Sequence, residues 1–265
     1  MLSKKSCAIA LGAVLVAAYP LAAQPFALDV RKDAVICGAE LAGEVVHLLY
    51  DHFVTDDTWD GRRFSKDDVN VFDRALMHGY DSALDTAGDL LAVSTAAVPF
   101  LTTAVALCAD DGYACSDLLT ETVMYAETMA VAHTVAHITK GLVLRTRPYL
   151  YYDVDEAPED DWNRSFYSGH TTMSFAAATF VGYTFCNYFP ESPWRVPVIV
   201  AGYTLATATA MLRVRAGCHF ATDVLVGAVA GTVIGFLVPW CHRLGDSRTQ
   251  FSVTPLGFSV RRRFL

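Results

Sequence analysis

Apolar side chains recur along this sequence in long runs at helical rather than strand spacing. Ala34 to Phe53 carries Glu40, Glu44 and His47 among its apolar residues, which predicts an amphipathic helix lying at a surface or interface rather than a span. Thr55 to Ala87 is polar and turn-rich, with Asp-Gly at 60–61, and a short helix is expected around Val69 to Leu84. Leu90 to Ala109 is twenty residues without a charge, long enough to cross a bilayer. A long helix is expected from about Asp117 to Leu144. It holds Glu121, Glu127, His133, His137 and Lys140, so one side must face protein or water. Thr171 to Phe189, Val196 to Leu212 and Val224 to Trp240 are further charge-free runs of 17 to 19 residues, marginal against the roughly 20 that a ~30 Å hydrocarbon core requires. The pattern predicts an all-α fold, a helical bundle of about six core helices, with a membrane-embedded arrangement favoured.

The ends read differently. Lys4 and Lys5 precede an unbroken small-apolar run, Cys7 to Ala18, and a cut after Ala23 would suit a signal peptide; an uncleaved signal anchor is the alternative. Residues 24–243 then form one catalytic domain and 244–265 a tail. In the tail, Gln250 to Leu265 alternates around Pro255-Leu256-Gly257, so it either pairs as a small hairpin or remains a basic tail ending in Arg261, Arg262 and Arg263.

Composition narrows the function. Hydrophobic residues make up 53% of the 265, charged residues 18%, and mean hydropathy is +0.32, too apolar for an average soluble domain. The net charge of −8 argues against a nucleic-acid partner, whose phosphates want a basic surface. An acidic protein that handles phosphates must concentrate its Lys and Arg in one pocket.

Three clusters do that. Lys140 is followed after six residues by Arg147-Pro148; Ser168-Gly169-His170 precedes an apolar helix; Arg213 is followed by His219 and then Asp223. Lys140 and Arg147, two helical turns apart, would project from one face near a helix end, with Pro148 pushing Arg147 out of the helical region. Arg offers paired hydrogen bonds to an oxyanion and Lys a point charge. Ser168-Gly169 at a helix start offers free backbone N–H groups to an anion, with His170 beside it. His219 and Asp223 are one turn apart, a spacing that lets the carboxylate take one imidazole proton and fix which nitrogen faces the substrate. Together these groups suit phosphoryl transfer without a metal.

The three clusters resemble the signature motifs of the phosphatidic acid phosphatase type 2 superfamily, which embraces membrane lipid phosphatases, soluble bacterial class A acid phosphatases and vanadium haloperoxidases. The resemblance runs from Lys140 to Asp223. It implies that Lys140, Arg147, Arg213, Ser168 and the Gly169 amide bind phosphate, that His219 attacks phosphorus and forms a phosphohistidine, that Asp223 orients it, and that His170 protonates the leaving oxygen. Tyr167 stands where the family often has Pro, and Leu212 where it usually has Ser, which removes one phosphate hydrogen bond. The expected activity is hydrolysis of a lipid phosphate or pyrophosphate at a bacterial inner membrane with the site facing the periplasm, with no cofactor. A soluble periplasmic acid phosphatase acting on small phosphomonoesters, a vanadate-dependent haloperoxidase and a non-catalytic lipid-binding relic are the alternatives.

Other features carry less. His133 and His137 have metal-compatible spacing with Glu127 nearby, but no pattern completes the set, and no metal is expected there. Cys108 and Cys115 either bridge in an oxidising compartment or are buried small residues, and Cys218 reads as packing. Tyr149, Tyr151 and Tyr152 with the acidic run Asp153 to Asp161 form either a lid or a solvated loop. Arg145 and Arg164 read as surface or rim charges.

Overall fold

A computed structural model describes residues 24–54, 59, 61–62, 64–109, 115–152, 161–244, 249–254 and 257–262. The 1–23 segment, the side chain of Cys115 and the acidic run 153–160 lie outside the described residues, and with them the expectations about a signal, a Cys108–Cys115 bridge and a lid.

The described chain is helical, as its periodicity predicts. The helices are α1 (Val30–Val54), α2 (Val71–Leu76), α3 (Ser82–Ala109), α4 (Cys115–Val143), α5 (Gly169–Tyr188), α6 (Arg195–Arg215) and α7 (Ala221–His242). At the tail, β1 (Thr249–Thr254) and β2 (Gly257–Arg262) pair antiparallel with Thr254 opposite Gly257, the hairpin alternative.

The bundle is arranged around α5, which packs against α3, α4, α6 and α7. Its apolar core gathers Phe180, Val181, Phe185 and Tyr188 with Phe26, Leu107 and Met124. The tightest seam joins α5 to α7. Gly227, Gly231 and Gly235 recur every four residues on one face of α7, where a Cβ at Gly231 would stand 2.2 Å from the Thr172 carbonyl oxygen and one at Gly235 2.3 Å from that of Ala176. Only glycine permits this approach, the small-residue packing used between membrane helices. The two helices run parallel, so their N-termini, with His170 and Asp223, reach the same end of the bundle.

α1 departs from the surface-helix expectation. It runs alongside and parallel to α4, with Gly43 against Thr134 and Ile138, and Tyr50 against Gly141. The polar residues that suggested a wet face turn inward: His47 is buried with its ring 5.2 Å from that of His137, and Glu44 accepts from the Thr134 hydroxyl at 3.4 Å. Val35, Leu41, Val46 and Phe53 face outward instead. The expected helix over Val69 to Leu84 is also broken. Met77–Asp81 is extended, because this stretch lies against the α6–α7 turn and the Asp81 N–H donates to the Ala216 carbonyl at 3.2 Å.

Among the described residues three helices are long and apolar enough to cross a membrane: α3, from Ser82 to Cys108, and the whole of α6 and α7. Their outer faces are apolar, with Val93, Val196 and Val229 between 65% and 68% exposed. Water would leave such faces unsatisfied, whereas lipid matches them.

Candidate active site

All eight residues singled out by sequence are at one end of the bundle, where α4 and α6 finish and α5 and α7 begin. Lys140 lies in the last turn of α4, buried, with its Nζ 3.7 Å from where a Cβ on Gly169 would be. The helix ends at Val143, so Arg147 does not share its face as the two-turn spacing suggested. The chain leaves α4 through Leu144 at φ +47°, and Pro148 holds Arg147 extended at φ −75°, ψ 149°. Arg147 Nε then donates to the Asp161 carbonyl at 2.8 Å and Nη1 to that of Cys218 at 3.2 Å, which aims the buried guanidinium back at the site.

Ser168 caps α5. It is fully buried, and its Oγ accepts from the Thr171 N–H at 3.4 Å and the Thr171 hydroxyl at 3.0 Å, leaving its own hydroxyl hydrogen to donate. Gly169 and His170 supply first-turn N–H groups that an α-helix leaves without intrahelical acceptors. His170 Nε2 lies 3.3 Å from Asp89 Oδ1.

Arg213 closes α6. Its Nη1 donates to Asp85 Oδ1 at 2.5 Å and Asp89 Oδ1 at 2.7 Å, while its buried Nε has no acceptor among the described residues. Gly88 lies between those two aspartates, and its missing side chain admits the arginine: a Cβ there would be 3.1 Å from Arg213 Cδ. Gly217, at φ +74°, ends α6 in a left-handed conformation with no room for a side chain, since a Cβ would stand 2.5 Å from the Gly79 carbonyl. The turn brings the N–H groups of Cys218 and His219 back to the Arg213 carbonyl, both at 3.2 Å. Cationic anchor and histidine are thus tied by backbone.

His219 is almost wholly buried, and its anchoring differs from the expectation. Nδ1 is 2.7 Å from the Ser165 carbonyl but 3.8 Å from Asp223 Oδ2. The carbonyl accepts the Nδ1 proton and leaves Nε2 as the nitrogen with a free lone pair. Burial pushes the His219 imidazolium well below the ordinary histidine range, and the charges of Arg147, Lys140, Arg213 and His170 push the same way. The ring is therefore neutral at neutral pH.

Asp223 is occupied elsewhere, because as the third residue of α7 it caps that helix. Its Oδ2 accepts from the Phe220 N–H at 2.9 Å and the Ser165 hydroxyl at 2.5 Å. Its Oδ1 accepts from Arg145 Nη1 at 2.5 Å. It positions His219 at one remove, by holding Ser165.

Arg145 is a correction as well. Rather than a rim charge it bridges two fully buried acids, Asp223 and Asp73, donating to Asp73 Oδ2 at 2.8 Å, and it stacks over the Phe220 ring at 4.1 Å. Arg164 is buried too, with Nε 3.5 Å from Asp161 Oδ1. Sequence reasoning missed Asp73, Asp85, Asp89 and Ser165; only Asp85 and Asp89, charges one turn apart just before an apolar run, left a trace. The His133–His137 pair stays outside the site. Its rings lie 4.1 Å apart, that of His137 meets His47, and Glu127 turns instead toward His242.

The arrangement gathers three buried cations and helix N–H groups beside a neutral imidazole, a set suited to an anion. Residues 121–245 match the family model of the PAP2 superfamily. A lipid A 1-phosphatase of Porphyromonas gingivalis is 40% identical over 87 residues, which are 33% of this chain and 18% of that protein's length. Among solved structures, a transmembrane PAP2-type phosphatidylglycerolphosphate phosphatase from Bacillus subtilis aligns at 19% identity and TM-score 0.46, covering 75% of this chain and 93% of its own. Aquifex aeolicus LpxE aligns at 19% and 0.45, covering 66% and 98%.

Proposed function

We propose that the protein is a membrane phosphatase that hydrolyses a lipid phosphate or pyrophosphate through a phosphohistidine at His219. The observation that carries this reading is the convergence of Lys140, Arg147 and Arg213 on a buried neutral imidazole whose Nδ1 is anchored to a carbonyl. Nε2 attacks phosphorus as the bond to the leaving oxygen breaks, and His170, supported by Asp89, gives that oxygen its proton. Water then attacks the phosphohistidine, His170 takes the water proton, and the N–P bond breaks to release phosphate. The cations, the Ser168 hydroxyl and the Gly169 amide hold the three oxygens that carry developing charge, and the unpartnered Arg213 Nε gains an acceptor. A lipid substrate is favoured because the site opens at the ends of helices whose outer faces are apolar; the superfamily region and the lipid A phosphatase relative agree with it.

Because side chains supply the positive charge, phosphate release from phosphatidic acid in mixed micelles should survive excess EDTA within about twofold, measured well below the unfolding temperature. Activity abolished by the chelator and restored by Mg²⁺ would contradict the mechanism.

The site is further proposed to face the periplasm. The opposite end of the bundle carries Arg31, Lys32, Arg195 and Arg243, the cations that the cytoplasmic side prefers. At the site's end, Arg74 is paired with Asp67, and Lys66 is stacked 3.4 Å over Tyr152. α1, packed alongside and parallel to α4, is taken to cross together with it. A lone cysteine replacing exposed Asp67 should react with an impermeant maleimide in spheroplasts. Reaction only after lysis would place the site inside.

A further inference from the structure

At the end of the bundle remote from the phosphate site, α1, α4 and α7 each contribute one titratable side chain to a single point. Asp33 comes from the first turn of α1, Glu127 from the middle of α4 and His242 from the last turn of α7. His242 Nε2 is 3.0 Å from Asp33 Oδ1 and 3.3 Å from Glu127 Oε2, and the three ligand atoms lie within 4.8 Å of one another.

We propose that these residues bind a divalent first-row transition cation, with zinc the best match, as a clasp that fixes α1 to the bundle. Two observations independent of the acidic character carry it. First, Glu127 is 3% exposed and neither of its carboxylate oxygens has a hydrogen-bond partner among the described residues. A buried carboxylate that stays ionised costs several kcal/mol unless a charge compensates it; otherwise it must take up a proton. Second, His242 Nδ1 lies 2.9 Å from the Val238 carbonyl one turn back, so it donates there and leaves Nε2 as the lone pair aimed at both acids. A proton on Nε2 would satisfy Asp33 and leave Glu127 bare, whereas a metal ion satisfies all three. The spacing fits: zinc bonds of about 2.0 Å in a tetrahedron put ligand atoms about 3.3 Å apart. Two carboxylates and a neutral imidazole balance a 2+ charge, and Asp33, partly exposed, leaves the fourth position open to water.

The site shares no residue with the phosphate pocket, so its test is separable. Full-length protein purified in detergent, incubated with zinc and exhaustively dialysed, should retain about one zinc per chain by mass spectrometry. Glu127→Gln and His242→Ala should each fall below about a tenth, whereas His219→Ala and His137→Ala keep the full amount. Because loss of buried groups can unfold a bundle, Asp33→Asn serves as the milder variant; it should fold and weaken zinc about tenfold or more. Cobalt in place of zinc should give the visible absorption of a low-symmetry, roughly tetrahedral ion. Chelation should lower the melting temperature, and zinc but not magnesium should restore it. Wild-type protein that holds less than a tenth of a zinc per chain, or zinc retained undiminished by His242→Ala and Asp33→Asn, overturns the proposal. Neither result bears on phosphate release in EDTA, which tests the phosphatase reading by itself.

Discussion

Replacing His219 with alanine should lower phosphate release by at least about 10⁴-fold with the fold intact, because it removes the buried imidazole whose Nε2 is left free beside Lys140, Arg147 and Arg213. His170→Ala should cost less, about 10²- to 10⁴-fold with a poor leaving group, and much less when the departing oxygen is already a stable anion. The split follows from geometry: His219 is sealed against the Ser165 carbonyl, whereas His170, with a side chain 42% exposed, stands where a leaving group departs. Since burial and the neighbouring cations Arg147, Lys140 and Arg213 hold His219 neutral, loss of nucleophile by protonation should begin only well below pH 6.5, the ordinary histidine value. Substantial turnover by His219→Ala would remove the role assigned here.

The second large effect falls on stability and on a residue that touches no substrate. Arg145→Met should destabilise the protein by about 3–5 kcal/mol, because it strands two fully buried carboxylates, Asp73 and Asp223, that share the guanidinium. In thermal unfolding this corresponds to a fall of about 10 °C. Arg145→Lys should recover only part, since a point charge cannot bond both acids at once. Burial alone would raise the Asp73 carboxyl, but hydrogen bonds from Thr222, Arg145 and Asn70 overcome it and hold the group below its ordinary range. Its contribution is therefore complete above about pH 4 and is lost as pH falls through the folded value. A change under about 0.5 kcal/mol in Arg145→Met would mean that water or protonation already relieves the acids.

The helices were legible because apolar runs of this length have few other uses, but their ends were not. α3 starts eight residues before its charge-free run, because Asp85 and Asp89 stay in the helix once Arg213 donates to them. The orientation of α1 is hidden for a related reason. Glu44 and His47 looked like a wet face, yet a helix packed in a lipid-facing bundle turns its polar residues inward and its valines out. In the site, the residue types that phosphate chemistry needs are rare enough to stand out in sequence, and the fold brings all of them together. What holds them left little mark. The Ser165 carbonyl that anchors His219 is backbone, which any residue supplies, and it displaced the expected Asp223 contact. Arg145 looks like any surface arginine until Asp73, 72 positions away, is placed beside it.

The central claim is the covalent intermediate. Wild-type protein and His170→Ala should be mixed with a ³²P-labelled phosphomonoester bearing a good leaving group, quenched within milliseconds to seconds, and digested for mass spectrometry. A phosphohistidine should appear on His219, labile in acid and stable in alkali, and it should accumulate in His170→Ala, where no base is left to activate water. Label on another residue, label that persists in His219→Ala, or none in either protein while phosphate is still released, would contradict the account.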